Sequence, residues 1–106
     1  MNVQINGVNL NVSQKVKGMV DKKLAHKLDQ LLVKFNNEIK TGFLHLEKDK
    51  YKHFRAKFDM ALPGKDGHLF AKSQGLKLVS AIVGIREQLE KQIKKYKQDK
   101  VNYSLG

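Results

Sequence analysis

The sequence contains no cysteine and no tryptophan, and it has a single proline among 106 residues. The missing cysteines exclude disulfide bonds, thiolate zinc sites and thiol catalysis. No apolar run approaches the roughly 20 residues that a membrane-spanning helix needs, so no membrane partner is expected. The first residues lack the basic and apolar regions of a secretory signal, which predicts a cytoplasmic protein.

Arginine is also scarce, although the chain is strongly basic. There are 21 lysine and arginine residues against 10 aspartate and glutamate residues, a net charge of +11, yet only Arg55 and Arg86 are arginines. Such an excess of positive charge favours an anionic partner, most commonly nucleic acid. Lysine neutralises phosphates but lacks the planar fork that reads guanine edges. The composition therefore predicts recognition of RNA phosphates and shape rather than base sequence.

Alternating apolar and polar residues predict four strands. The first lies within residues 3–12, where Asn6-Gly7 indicates either a bulge or a turn. The other three runs are 43–46, 53–62 and 68–73, with a turn-rich connection at 63–67.

Two segments space their apolar residues on one face of a helix. The first, capped by Ser13 and closed by Asn36-Asn37, has Val16, Val20, Leu24, Leu28, Leu31 and Phe35 on that face; the second has Leu78, Ile82, Ile85, Leu89, Ile93 and Tyr96. The order β-α-β-β-β-α predicts an α+β fold, a four-stranded sheet with two helices packed on one face, like a double-stranded-RNA-binding domain. If its strands are neighbours, the first crossover is right-handed and parallel. We assign residues 1–97 to this domain and 98–106, which show no periodicity, to a flexible C-terminal tail.

Helical projection puts lysines on one flank of each apolar stripe. The first flank has Lys23, Lys27, Gln30 and Lys34, with Asp21 and Asp29 on the other side; the second has Lys77, Gln88, Lys91 and Lys95, with Glu87, Glu90 and Lys94 on the outer face. Solvated helix faces usually mix charges of both signs. Two flanks without carboxylates therefore favour contact with a row of phosphates over a merely solvated surface.

The predicted outer sheet face carries histidines and phenylalanines. His45 and His53 can be cross-strand neighbours there, with His68 on the same face. Because cysteine and an acidic third ligand are lacking, neither a metal nor another cofactor is expected. Phe43 and Phe70 leave base stacking open as an alternative to a partly covered sheet face.

No catalytic residue is predicted, so the chain is not expected to be an enzyme or to take a small-molecule substrate. The nearest carboxylate pairs, Asp59 with Asp66 and Glu87 with Glu90, fit solubility or turn chemistry better than acid–base catalysis. Glycine-rich phosphate loops are also missing from the sequence.

Several segments together resemble the ribosome hibernation promoting factor family, which includes the inhibitor protein Y and is also known as the sigma-54 modulation protein family. These segments are VQINGVNL from Val3, the Val12-Ser13 cap, Lys22-Lys23-Leu24-Ala25, Leu46-Glu47-Lys48 and LEKQIKKYK from Leu89. The likeness covers about residues 1 to 100 and corresponds to the short form, without the C-terminal domain through which long members pair ribosomes. Relative to the family, the first helix carries one extra residue near His26, which shifts Lys27.

The resemblance implies a protein that binds the small ribosomal subunit, through ribosomal RNA near the decoding centre. It would block the messenger and transfer RNA sites and silence translation in stationary phase or stress. Family RNA contacts come from basic residues on both helices, matched here by Lys23, Lys91, Lys95 and Lys97, with Lys22, Lys27, Arg86 and Lys94 as additions. The alternatives are a general double-stranded RNA-binding protein and a protein-interaction module that modulates transcription.

Overall fold

The computed structural model describes residues 2–32, 41–61 and 68–105, with side chains to residue 95. The predicted helix end at Asn36-Asn37 and the connection at 63–67 lie outside these residues. The strands are β1 (Asn2–Val8), β2 (Thr41–Lys48), β3 (Phe54–Ala61) and β4 (His68–Gly75). The first helix has three consecutive segments, α1 (Gln14–Val20), a π-helical segment (Asp21–Ala25) and α2 (His26–Leu31); the last helix is α3 (Leu78–Leu105).

The four strands form one mixed sheet in the order β1-β2-β3-β4. β1 runs parallel to β2, as the crossover through the first helix predicts, and the two other pairs are antiparallel. The predicted β-α-β-β-β-α architecture is therefore confirmed.

The core lies between the two helices and one face of the sheet. Alternate strand residues point into it, as the alternation within the predicted strands requires, and they are Leu44, Leu46, Ala56, Phe58, Met60, Leu69 and Ala71. The helices contribute, among others, Val20, Leu24, Leu28, Ile82, Ile85, Leu89 and Ile93. No polar or charged residue in the described part of the chain is buried. Each large apolar side chain contributes about 1.5–3 kcal/mol through its removal from water.

β1 continues through Asn6-Gly7, so of the two predicted alternatives, a bulge or a turn, the turn is excluded at that pair. The chain turns two residues later, where Asn9 has a φ of 55°, in the left-handed region that asparagine tolerates. Gly7 is needed for a different reason, because a Cβ there would lie 2.6 Å from the carbonyl oxygen of Leu10. The returning chain thus passes directly over the end of the strand. It then enters α1 at the predicted cap, where Val16 N–H donates to the Ser13 hydroxyl over 3.3 Å.

The π-helical segment explains the spacing of apolar residues on the first helix. Five buried positions, Val16, Val20, Leu24, Leu28 and Leu32, are each four residues apart. At about 100° per residue, an unbroken α-helix would rotate the last of them about 160° from the first. A π-turn absorbs one extra residue and removes about 100° of that rotation.

The π-helical segment also determines which residue is buried at the end of the first helix, and it lies beside the extra residue noted near His26. Leu32, and not Leu31, is the fully buried residue at the end of the helix, because the period changes within the π segment. The N–H of His26 donates to the carbonyl of Asp21, five residues back. This π-type bond adjoins the position where the family resemblance indicates an extra residue.

α3 extends further than the sequence predicted, since its backbone is helical to Leu105 and not only to Lys97. The boundary at 97 was inferred from the loss of apolar periodicity, which reports burial against a sheet and not helical backbone. Residues 85–105 contain neither proline nor glycine. Once nucleated, such a segment propagates as a helix. The predicted tail at 98–106 is therefore helical up to residue 105.

Candidate nucleic-acid interface

The first helix presents lysines from the outer side of the helix layer. Leu24 and Leu28 are fully buried beneath it, which fixes the directions of the other side chains. Lys22 and Lys23 are exposed and Lys27 is half-buried. A half-buried lysine packs its alkyl stem and keeps its ammonium group in water. All three lysines predicted on this helix can thus offer a charge to an external anion.

The carboxylate of Asp21 is held apart from these lysines. Asp21 and Ala25 line a depression of about 410 Å³ beside β1, together with Lys17. Lys23 is two residues from both Asp21 and Ala25, a rotation of about 200°, so it points away from β1. The predicted separation of Asp21 from the lysine flank therefore agrees with the structure. Asp29 is half-buried.

α3 carries a second group of lysines. Leu89 and Ile93 are fully buried against the sheet, and Lys91, Lys94 and Lys95 are exposed on the opposite side. Their positions span little more than one turn, so three ammonium groups lie close together on one helix surface. Glu87 and Glu90 lie four residues before Lys91 and Lys94 and offset part of this charge, and the remaining positive charge favours an anion against the helix.

Two glutamines on α3 bind the free edge of β4. Gln92 accepts from the N–H of Phe70 over 3.2 Å and donates to its carbonyl over 2.6 Å. Gln88 makes the same pair of bonds with Lys72, at 3.2 and 2.5 Å. Each side-chain amide thus imitates the backbone of a fifth strand and covers an edge that could otherwise pair with another chain.

These hydrogen bonds remove Gln88 from the predicted RNA-binding flank of α3. Gln88 was assigned to that flank, but its amide is occupied by β4 and is not available to RNA. Lys77 precedes the helix, and its carbonyl accepts from the N–H of Ala81 over 3.2 Å. The sequence signal that was missed is a pair of glutamines four residues apart, on one flank of the helix that follows the last strand. Lys91 and Lys95 remain as the lysines on that flank of α3.

Arg86 lies on the side of α3 opposite to Gln88, because two residues along an α-helix correspond to a rotation of about 200°. Its side chain is 30% exposed, and its Nε lies 3.6 Å from an oxygen of Glu90. Within the described residues this buried Nε has no hydrogen-bond partner. The ion pair offsets part of the charge of Arg86, which makes it a weaker anion ligand than the three exposed lysines.

The structure therefore brings the predicted residues together in two groups. Lys22, Lys23 and Lys27 lie on the first helix, and Lys91, Lys94 and Lys95 lie on α3, with Arg86 on a separate face of α3. Both helices cover the same face of the sheet, so both groups belong to the helix layer. The side chains of Lys97 and the flanking Lys34 lie outside the described part.

The histidines of the open sheet face do not form the predicted pair. His45 lies opposite Lys57 in the β2–β3 register and contacts Asn6, with 3.2 Å between Nδ1 and Nδ2. His53 precedes β3, and its Nδ1 lies 3.8 Å from Asp49. His45 and His53 are therefore not cross-strand neighbours, because the β2–β3 register puts His45 opposite Lys57 and His53 lies in the turn before β3.

The same face has a row of aromatic and acidic residues across the strands. Phe43 pairs with Asp59, and Asp59 pairs with Phe70. Both rings are 47% exposed. His68 Nε2 lies 3.0 Å from Asp59, so this carboxylate has a local partner. An acid between the two rings makes this row less suited to a phosphate-bearing ligand than the helix layer.

Neither a metal-type cluster nor a membrane-spanning helix occurs in the described part of the chain. Among the described residues, no three histidine or acidic side chains are grouped as a metal would require. None of the described helices combines the length and apolarity needed to cross a membrane.

Comparisons with known proteins agree with the fold and bear on the family. The N-terminal domain of Thermus thermophilus Protein Y matches with a TM-score of 0.74 and 26% identity, covering 91% of this chain and 99% of that one. A ribosomal subunit interface protein from Coxiella burnetii matches with a TM-score of 0.70 and 20% identity, covering 92% and 99%. The search of curated proteins found no match.

The sequence model of one family covers nearly the whole chain. Residues 3–101 match the family described as sigma 54 modulation protein and S30EA ribosomal protein. This match includes both helices and all four strands, and it agrees with the resemblance noted from the sequence. The chain belongs to the sigma 54 modulation protein / S30EA ribosomal protein family.

Proposed function

We propose that this protein binds the small ribosomal subunit near the decoding centre, through the basic surfaces of its two helices. There it blocks the messenger and transfer RNA sites and silences translation in the cytoplasm during stationary phase or stress. The observation that carries the proposal is the pair of exposed lysine groups on the helix layer, Lys22 with Lys23 and Lys91 with Lys94 and Lys95.

The chemistry of these groups fits ribosomal RNA. Each lysine that neutralises a phosphate releases condensed counterions, which gives affinity without reading a base. The net charge of +11 adds attraction at longer range and accelerates encounter with an RNA surface. The near absence of arginine agrees with a ligand recognised by shape rather than by guanine edges.

The relatives support the ribosome as the partner. The family description includes a ribosomal protein, and the Coxiella burnetii structure is named a ribosomal subunit interface protein. The small subunit, the decoding centre and the conditions of silencing are part of the proposal. The lysines assigned to the RNA contact are Lys22, Lys23, Lys27, Lys91, Lys94, Lys95 and Lys97, with a weaker contribution from Arg86.

The test is sedimentation of a stationary-phase lysate through a sucrose gradient at low salt. We expect the protein in the small-subunit and monosome fractions, and expect Lys23→Ala/Lys91→Ala/Lys95→Ala to shift it toward the top. A matched control, Lys17→Ala/Lys57→Ala/Lys72→Ala, removes the same charge from β1-side and open-sheet positions and should sediment like the unsubstituted protein. Absence of the unsubstituted protein from both fractions would overturn the proposal.

Two measurements separate this proposal from its alternatives. Equal affinity for a plain RNA duplex and for small subunits would favour a general double-stranded RNA-binding protein. Co-purification with a sigma factor after nuclease treatment would favour a modulator of transcription. Strong preference for small subunits, lost on nuclease treatment, is the result that the proposed function predicts.

A further inference from the structure

The turn between β2 and β3 displays an aromatic ring that the fold does not use. Tyr51 is 68% exposed, and it stands between Lys50 and Lys52, which are exposed too. The Nζ of Lys50 lies 5.2 Å from the centre of the tyrosine ring, which leaves the other ring face open. An exposed tyrosine flanked by two lysines combines a stacking surface with two phosphate ligands.

Asp49 holds this turn in one conformation. Its Oδ1 accepts from the N–H of Tyr51 over 2.8 Å and from that of His53 over 2.9 Å. Its own N–H donates to the carbonyl of His53 over 2.9 Å, and its carbonyl accepts from Lys52 over 3.1 Å. Lys52 adopts a φ of 65°, so the turn is closed by a left-handed residue. The ring of Tyr51 is therefore carried on a preorganised loop.

The only acid of the turn is also neutralised within it. The Asp49 side chain is 14% exposed, and Arg55 Nη2 lies 3.7 Å from its second oxygen. The hydrogen bond from His53 N–H, followed by the one from Tyr51 and by the nearby positive charges, lowers the pKa of Asp49. The carboxylate stays ionised and directed inward, so an approaching phosphate meets the lysines.

The turn lies at the end of the sheet where both helices begin. Val8, at the end of β1, pairs with Glu47, and Gly75, at the end of β4, pairs with Phe54. The chain enters both helices from these two strand ends. Lys77, exposed just before α3, is 14 residues from Lys91, or about 21 Å along the helix. The turn is thus a separate basic site, well removed from the lysine group in the middle of α3.

We propose that this turn is a second RNA contact, in which an unpaired base stacks on the open face of Tyr51 and Lys50 and Lys52 bind the neighbouring phosphates. The inference rests on the proposed function, since the RNA is that of the small ribosomal subunit. Stacking on one ring tolerates any base, so the contact recognises an unpaired nucleotide and not a sequence.

The experiment measures affinity of the full chain for purified small ribosomal subunits at fixed salt. Replacing Tyr51 with leucine should weaken binding about 5- to 150-fold, the range that loss of one base stack produces. Tyr51→Phe keeps the ring and should bind within about twofold of the unsubstituted protein. Phe43→Leu removes another exposed ring, on the open sheet face, and serves as the matched control, with no expected change.

Asp49 acts as a positioning residue, and its variants test the preorganised turn. Asp49→Ala loses both backbone hydrogen bonds and should weaken binding, while Asp49→Asn keeps an oxygen for Tyr51 N–H and should restore most of it. Wild-type affinity in Tyr51→Leu, with reduced affinity in Lys91→Ala/Lys95→Ala, overturns the second contact and leaves the proposed function intact. Failure of the unsubstituted protein to bind subunits overturns both.

Discussion

The two helices present similar lysine groups but are attached to the sheet in different ways. The first helix is divided by the π segment Asp21–Ala25 and lies over the sheet through apolar contacts. α3 is α-helical throughout. Its Gln88 and Gln92 side chains, the glutamine clamps, bind the β4 edge. One helix therefore tolerates a change of register inside itself, whereas the other has its register fixed at two points. Similar lysine groups are therefore carried by one helix whose register can change and by another whose register is fixed.

The largest expected difference comes from deleting one exposed residue from each helix. Deletion of Glu87 rotates the following part of α3 by about 100°, which moves Leu89 and Ile93 out of the core and should cost about 3 kcal/mol or more. Deletion of His26 lets the π segment become α-helix and should change the free energy of unfolding by about 1 kcal/mol or less. Urea unfolding followed by circular dichroism measures both. Equal losses for the two deletions would contradict the adaptable first helix.

A smaller effect is expected from removing the glutamine clamps. Gln88→Ala/Gln92→Ala loses four hydrogen bonds at a solvent-exposed edge and should lower the free energy of unfolding by about 1–3 kcal/mol. It should also increase self-association, because the β4 edge is uncovered. Gln30→Ala on the first helix is the control, with an expected change of less than about 0.5 kcal/mol. Light scattering and urea unfolding together check the prediction.

The smallest effect concerns neither helix but the turn that Asp49 organises. Because its folded pKa is lowered, the ionised carboxylate stabilises the native state above its unfolded pKa, and this contribution is lost as pH falls through the folded value. The difference in melting temperature between the unsubstituted protein and Asp49→Ala should therefore shrink as pH falls from 6 to 2. A constant difference across that range would mean that the charge of Asp49 does not stabilise the turn.

Much of the fold could be predicted because burial of one face of a helix or strand produces a periodic pattern of apolar residues. Strict alternation from Phe54 to Met60 and the spacing of Ile82, Ile85 and Leu89 each specify one buried face, and the structure has both. The Ser13 cap was also predictable, since a hydroxyl before an apolar helix satisfies a free N–H. These features depend only on residues close together in the chain.

Features that depend on tertiary contacts or on an unusual backbone path could not be predicted in the same way. Asn6-Gly7 indicated either a bulge or a turn, but the role of Gly7 is to admit the carbonyl of Leu10 as the chain returns over β1. Gln88 was read as part of an RNA-binding flank, but β4 occupies it. The direction of the buried face of the first helix depends on a π-helical segment, which the four-residue spacing of apolar residues does not specify by itself. A tertiary neighbour decided the role of Gln88, and the local path of the backbone decided the other two.

The central claim is that lysines on both helices bind the phosphates of the small ribosomal subunit. The most direct test is the salt dependence of binding to purified small subunits, measured for the unsubstituted protein and for Lys23→Ala/Lys91→Ala/Lys95→Ala. Each lost phosphate contact should reduce the slope of log K against log salt by about 0.7 to 0.9, so we predict a total reduction of about two to three. Equal slopes for the two proteins would contradict the account.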